Sequence, residues 1–271
     1  MFRRFGARVT IVDPGDHLLG REDADVSEEL EAVFREEGID LLLGSRAARV
    51  EGGEERVRVT AGEGVVVEGT HLLVATGRRP NTDDLGCGEG GIELDERGFI
   101  RVDEHFRTTA DGVFAVGDVT GGPQFTHTSW DDHRLVYDVL MGRPGRPRSE
   151  RIIPYTVFTD PQVAAVGLNE REARERGVAY ALGAIPFGHV ARAIETDETA
   201  GRIKVLVDPS SERILGASIV GAEAGELIHV FAVLMQAGAS VRHLVDMQVV
   251  HPTFAEGLQS ALMAIERYSV G

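Results

Sequence analysis

His71-Leu72-Leu73-Val74-Ala75-Thr76-Gly77-Arg78-Arg79-Pro80-Asn81 and, further along, Thr109-Ala110-Asp111-Gly112-Val113-Phe114-Ala115-Val116-Gly117-Asp118 are the two stretches on which the fold turns. Each predicts a short apolar strand that runs into a glycine: His71 to Ala75 into Thr76-Gly77, and Gly112 to Val116 into Gly117-Asp118. The C-terminal ends of such strands are where open α/β sheets bind ligands, and Asp118 there could accept hydrogen bonds from a sugar alcohol chain. Taken singly, each has a plainer reading. The first is then a strand-to-loop exit turning at Pro80-Asn81, and the second an Asp that caps the next helix.

Working outward, Met1 to Gly6 reads as the last turn of a helix with a glycine C-cap, and the apolar strand Ala7 to Val12 follows. Val26, Leu30, Val33 and Phe34 fall on one face of a helix from Asp25 to Glu37, which Gly38 stops before the strand Ile39 to Leu43. Alternating runs at Ala47 to Val50, Arg56 to Thr60 and Val65 to Val67 predict a small antiparallel meander. A helix is expected from about Thr128 to Met141, then a polar, proline-containing linker from Arg143 to Arg151. Beyond it, strands are expected at Thr156 to Phe158, Ala179 to Ile185, Arg202 to Val207 and Ile214 to Val220. Helices near Glu223 to Gln236, Val241 to Met247 and Thr253 to Tyr268 complete an α+β segment.

Composition narrows the function. With 271 residues and 42% hydrophobic content the chain can bury a sizeable core. A formal charge of -16, with no basic cluster to offset it, argues against nucleic acid or an anionic membrane as partner. No apolar run approaches the roughly 20 residues of a membrane span, and the first residues lack a signal-peptide core, so a soluble, cytoplasmic protein is expected. The single cysteine, Cys87, excludes an intrachain disulfide and a zinc cluster, and its glycine-rich setting suggests a loop. No metal site is expected.

Two further residue sets carry chemistry. Asp13 ends the first strand, where a dinucleotide-binding βαβ unit places the acid that accepts hydrogen bonds from the adenine ribose and repels a 2′-phosphate. Alternatively, it merely starts the turn Asp13-Pro14-Gly15. In His251-Pro252-Thr253-Phe254-Ala255-Glu256, a helix starting between the imidazole and the carboxylate could bring them together, which fixes the tautomer and raises the basicity of the far nitrogen. The plainer alternative is a capping box, Thr253-x-x-Glu256, with His251 as a turn residue.

Taken in order, the Ala-Thr-Gly strand end and the Gly-Asp strand end resemble two marks of the FAD-dependent pyridine nucleotide-disulfide oxidoreductase family. Phe158 to Gly167, Thr196 to Gly201 and Lys204-Val205 resemble the opening and a hairpin of its interface domain. The resemblance runs from Val9 to about Leu262 and is greatest to mercuric reductase-like members and uncharacterised FAD-containing ones. It implies an α/β fold of partial Rossmann-like NAD and FAD domains followed by an α+β dimerisation domain. The division is 1–79 (NAD), 80–150 (second half of FAD) and 151–271 (dimerisation). It assigns Asp118 to the ribityl chain of FAD, and places Thr76-Gly77 and Gly117 at the cofactor. Gln124, Phe125, Thr126 and His127 then stand at the N-terminus of a helix facing the flavin, whose dipole stabilises the electron-rich pyrimidine end. It makes His251 and Glu256 an acid-base pair serving the cysteines of the other subunit of a homodimer. NAD is expected over NADP because of Asp13, and the substrate is a disulfide or another small molecule.

The family's Gly-rich turns for both pyrophosphates and its paired cysteines are not in this sequence, so it reads as a C-terminal fragment, inactive alone. Tandem C-terminal cysteines are missing too, which speaks against mercuric ion reduction. Two classes stay open: an oxidoreductase, or a non-catalytic dimerisation module built on residues 152–271.

Overall fold

Strand, helix and strand follow one another near the N-terminus as β1 (Val9–Val12), α1 (Ala24–Glu36) and β2 (Ile39–Leu42), with β1 and β2 parallel and Val9 opposite Ile39. The computed structural model describes residues 1–53 and 55–265. Ahead of β1, Phe2–Phe5 is a 3-10 turn closed by Gly6 at φ 95°, the left-handed cap that the sequence suggests. The expected meander forms as β3 (Ala47–Gly52), β4 (Val57–Ala61) and β5 (Val65–Gly69), antiparallel in that order.

Two expected strands do not form ladders. Residues 71–75 have no strand partner among the described residues, and extended backbone without a partner is not sheet. Residues 112–116 instead turn back on their own neighbours: Arg107 and Phe114 make one isolated bridge, and the Ala115 N–H donates to Phe106 O at 3.1 Å. The chain divides into two compact units here, residues 74–153 forming one and residues 1–73 with 154 onward the other.

The 74–153 unit is built from turns around a small core of Cys87, Ile100 and Ala115, with Ile92, Leu94, Val102 and Val119 packed on it. Cys87 is thus a buried core side chain in a turn region. The unit's one long helix, α2 (Thr126–Leu140), begins two residues earlier than periodicity suggests.

The other unit centres on an antiparallel five-stranded sheet of β6 (Tyr155–Val157), β7 (Gln162–Gly167), β8 (Ala181–Pro186), β9 (Arg202–Val207) and β10 (Ile214–Gly221). Their order across the sheet is β6-β7-β10-β9-β8. Consecutive residues of a strand face opposite sides. Ala217, Ser218, Ile219 and Val220 of β10 are all buried, so both faces of the sheet are covered. Short helices α3 (Glu170–Glu175) and α4 (Ala191–Thr196) lie between strands, and α5 (Ala224–Gln236), α6 (Arg242–Val245) and α7 (Glu256–Met263) follow them. The sequence-predicted end of the last helix, Tyr268, lies outside the described residues. α5 packs on β6, β7 and β10, and α7 on β8 and β9. At Gly183 of β8 the approach is so close that a Cβ would stand 2.2 Å from Ala261 O.

Helix α1 also lies on this sheet. Val26 and Leu30 form a cluster with Val163 and Val220, which are directly opposed in the β7–β10 register. The next row on that face is polar: Ser218 opposes Lys204, and Lys204 Nζ reaches Asp23 (3.0 Å), Asp25 (2.8 Å) and Glu170 (2.9 Å). Burial alone would lower the Lys204 pKa, but its hydrogen bonds to the three carboxylates outweigh that and raise it. Asp23 also accepts the first N–H groups of α3, from Glu170 at 3.1 Å and Arg171 at 3.0 Å. Although burial pushes its carboxyl up, these donors and Lys204 hold it below the usual range. Beside it Glu22, accepting from the Tyr155 hydroxyl and lying 3.4 Å from Ser218 Oγ, borders a cavity of about 160 Å³. Burial pushes the Glu22 carboxyl up to about 7.

A carboxyl whose folded pKa exceeds its unfolded value favours the fold below the unfolded value and loses that contribution as pH rises through the folded one. For Glu22 that window runs from about 4.5 to about 7. Relative to Glu22→Gln, the wild type should lose about 3 kcal/mol at most between pH 4.5 and pH 8. Paired thermal melts across that range check this, and parallel curves would refute it.

Candidate functional site

Asp13 follows β1 directly and its peptide is held on both sides: its N–H donates to Leu42 O at 3.1 Å, and its carbonyl accepts from Ser45 N at 2.9 Å. Its Oδ1 accepts the Gly15 N–H at 2.7 Å. The carboxylate therefore does start the turn, as the plainer reading has it, and the same turn fixes its direction while leaving Oδ2 without a partner among the described residues.

In the 74–153 unit, Thr76 and Gly77 are exposed, with Gly77 at φ 110° and open space where a side chain would stand. Gly117 and Asp118 begin a 3-10 turn, Gly117–Thr120, not a helix that Asp118 caps. Gly117 sits at φ 75°, a left-handed conformation that favours glycine, and a Cβ there would stand 2.9 Å from Ser129 Oγ of α2. Its N–H donates to Asp132 Oδ2 at 2.7 Å, and Asp132 also pairs with Arg151, both side chains being buried. Asp118 stays half exposed, with Arg78 Nη1 3.2 Å from Oδ2.

Gln124, Phe125, Thr126 and His127 stand at the N-terminus of α2. Phe125, at the N-cap, offers no side-chain oxygen to the first-turn N–H groups, and its ring stacks on that of His127 at 5.2 Å. Thr128 Oγ1, one turn in, is buried with no hydrogen-bond partner among the described residues.

His251 and Glu256 are brought together. His251 Nδ1 lies 2.7 Å from Glu256 Oε2; the imidazole is 71% exposed and the carboxylate 18%. Only half of the capping box forms: Thr253 Oγ1 accepts the Glu256 N–H at 3.3 Å, while the Glu256 carboxylate turns to the imidazole. Phe254, between them in sequence, stacks on Phe187 at 5.6 Å and anchors the loop ahead of α7. Among the described residues no group of His, Cys, Asp and Glu could hold a metal ion, and no helix is long and apolar enough to cross a membrane.

The chain matches a model of pyridine nucleotide-disulphide oxidoreductases over residues 1–132 and the dimerisation domain of the same enzymes over residues 153–262. It belongs to the pyridine nucleotide-disulphide oxidoreductase family. A family relative in Escherichia coli K12, the probable pyridine nucleotide-disulfide oxidoreductase RclA, is 36% identical over 98% of this chain and 60% of its own length. A mercuric reductase of Lysinibacillus sphaericus is 34% identical over 98% of this chain and 50% of its own. The solved structure of the HOCl-induced flavoprotein disulfide reductase RclA from Escherichia coli superposes with a TM-score of 0.88 at 37% identity. That match covers 95% of this chain and 59% of the other. The chain thus spans 50 to 60% of the length of these curated family relatives.

Reading by motif missed the Gly117–Asp132–Arg151 network, because its signal lies in the register between a loop and a helix and not in any spacing. Asp132→Ala should destabilise the 74–153 unit by about 3 kcal/mol, since it leaves the buried Arg151 guanidinium with only the more distant Asp131 carboxylate, at 3.9 Å, as counter-ion. Urea unfolding followed by Trp130 fluorescence reads this directly, and a loss below about 1 kcal/mol would contradict the network's role.

Proposed function

We propose that this chain serves an FAD-dependent pyridine nucleotide-disulfide oxidoreductase that passes electrons from NAD(P)H through flavin to a disulfide or a related acceptor in a soluble, cytoplasmic homodimer. In this reading residues 1–79 belong to the NAD-binding domain, 80–150 to the FAD-binding domain and 151–271 to the dimer interface. The observation that carries it is the His251–Glu256 pair, 2.7 Å apart with the imidazole open to a partner.

The residues present fit a flavin nucleotide. Gly117 takes a φ of 75° that favours glycine, Phe125 at the N-cap of α2 makes no side-chain capping bond, and Thr128 Oγ1 is a buried hydroxyl without a partner among the described residues. Asp118 would accept hydrogen bonds from the ribityl hydroxyls, and Thr76, Gly77 and Gly117 would let backbone pass close to the cofactor. Residues Gln124 to His127 would present the positive end of α2 to the pyrimidine edge. FAD, when bound, supplies the electron relay between nicotinamide and acceptor. Asp13 would accept hydrogen bonds from the adenine ribose and disfavour a 2′-phosphate, so NADH is preferred to NADPH.

At the other end, Nδ1–H donated to Glu256 leaves Nε2 of His251 as the base. It takes a proton from a thiol and returns it to the leaving sulfur. The chain's single cysteine cannot form a dithiol, so in this reading the sulfur that His251 serves lies outside these residues, and the family resemblance supports setting it across a two-fold interface. The same cysteine count favours a second reading, a dimerisation module without catalysis.

Turnover separates the two. In the homodimeric oxidoreductase, His251→Ala should lower disulfide reduction by about 10²- to 10⁴-fold, and Glu256→Gln should follow it in direction. As a helix-capping residue alone, Glu256 would contribute only about 1 kcal/mol of stability and nothing to rate. Near-normal turnover in His251→Ala, with melting temperature as the control, would sink the acid-base reading.

A further inference from the structure

Glu31 lies on the middle turn of α1, where the helix faces inward, yet it is a carboxylate with 3% of its surface exposed. Burying a carboxylate is costly unless charges and donors surround it. Two of its three contacts come from the turn that begins at Asp13. Oε1 accepts the Leu18 N–H at 2.9 Å and lies 3.2 Å from His17 Nδ1; Oε2 is 3.2 Å from Arg35 Nη2. The turn is tied at its other end as well, where Gly15 O accepts from Gly44 N at 2.8 Å and Asp13 Oδ1 accepts from Gly15 N. From Asp13 to Leu18 the sequence reads Asp-Pro-Gly-Asp-His-Leu, so His17 is the one side chain of the turn that can carry positive charge.

We propose that Glu31 is a positioning residue for nucleotide selection: its buried carboxylate pins the turn Asp13 to Leu18 and keeps the His17 imidazole engaged. The turn then offers the Asp13 carboxylate, and not the His17 ring, to an adenine ribose. The proposal rests on the reading of Asp13 as the ribose acceptor and adds what holds that acceptor in place. A nearby cation is what accommodates a 2′-phosphate in such a unit. With Glu31 removed, both His17 and Arg35 lose this partner, and His17 is the one of the two on the turn itself. His17 pairs with Glu31, whose other carboxylate oxygen binds Arg35 one turn along α1.

Calorimetric titration of the full chain with adenosine 5′-monophosphate and adenosine 2′,5′-bisphosphate tests this without turnover, alongside hydrogen exchange of the Leu18 amide. The wild type should prefer the monophosphate. In Glu31→Gln, Leu18 exchange should accelerate and the preference should fall by about tenfold, the scale of one charge-assisted hydrogen bond. His17→Ala in the Glu31→Gln background should restore the preference, and His17→Ala alone, which keeps the Leu18 N–H bond to Glu31, should leave it within about twofold. An unchanged preference in Glu31→Gln despite fast Leu18 exchange overturns the proposal, as does a large shift in His17→Ala alone. Asp13→Asn separates the layers. If it leaves the preference intact, or if the wild type binds neither probe, the ribose reading fails and the proposal with it. If Asp13→Asn abolishes the preference while Glu31→Gln does not alter it, only the proposal fails.

Discussion

One ammonium group organises the larger unit. Lys204 rises from β9 into the space beneath the N-terminus of α1, 1% exposed, and spends its three N–H bonds on Asp23, Asp25 and Glu170. An uncompensated charge in that position would cost several kcal/mol, so helix α1, helix α3 and the sheet must close around it together. Around this centre the contacts spread outward. Arg202, one row along, reaches Asp25 at 2.8 Å and Glu29 at 2.9 Å; Asn169 and Arg171 donate to the carbonyls of Gly20 and Arg21. The segment that carries Asp13 and the sheet whose following loop and helix carry His251 and Glu256 are thereby parts of one packed body, although far apart in sequence.

How much of this was legible beforehand depended on whether the determining contacts were local. Strand β9 has the ends that its sequence predicts, Arg202 to Val207, because its flanking turns are chemical signals in the sequence itself. The Thr253 to Glu256 spacing was also legible, but as two competing readings. Geometry divides them: the Thr253 hydroxyl caps the helix, while the Glu256 carboxylate goes to His251. Strand β7 was not read as a strand, since Val163-Ala164-Ala165-Val166 is buried on both faces and has no alternation to detect. The expected strands at 71–75 and 112–116 have the right composition, but the first lacks a partner among the described residues and the second keeps only the isolated Arg107–Phe114 bridge, and strand propensity without a ladder yields only extended chain.

Asp23 illustrates the limit of local rules. It precedes α1 as an N-cap should, yet makes no side-chain capping bond to α1 and caps α3 instead, with Lys204 as its counter-ion. Residues 147 and 148 positions away determine what it does. Lys204 and Glu31 were equally invisible, because a charged residue in a strand or on a helix reads as a solvated face until its partners are known. The candidate site divides in the same way. Its residue types were readable from strand ends and a helix start, whereas the parts that hold them are set by tertiary packing: the Asp132 acceptor at Gly117, the Glu31 clasp and the Phe187–Phe254 stack.

If Lys204 binds α1 to the sheet as one cooperative body, the two must open together. Native-state hydrogen exchange measures this for the Leu30 amide of α1 and the Val205 amide of β9. Opening free energies that agree within about 1 kcal/mol are predicted, since residues of one cooperative unit share its opening. A Leu30 amide that exchanges through an opening several kcal/mol easier than that of Val205 would contradict it.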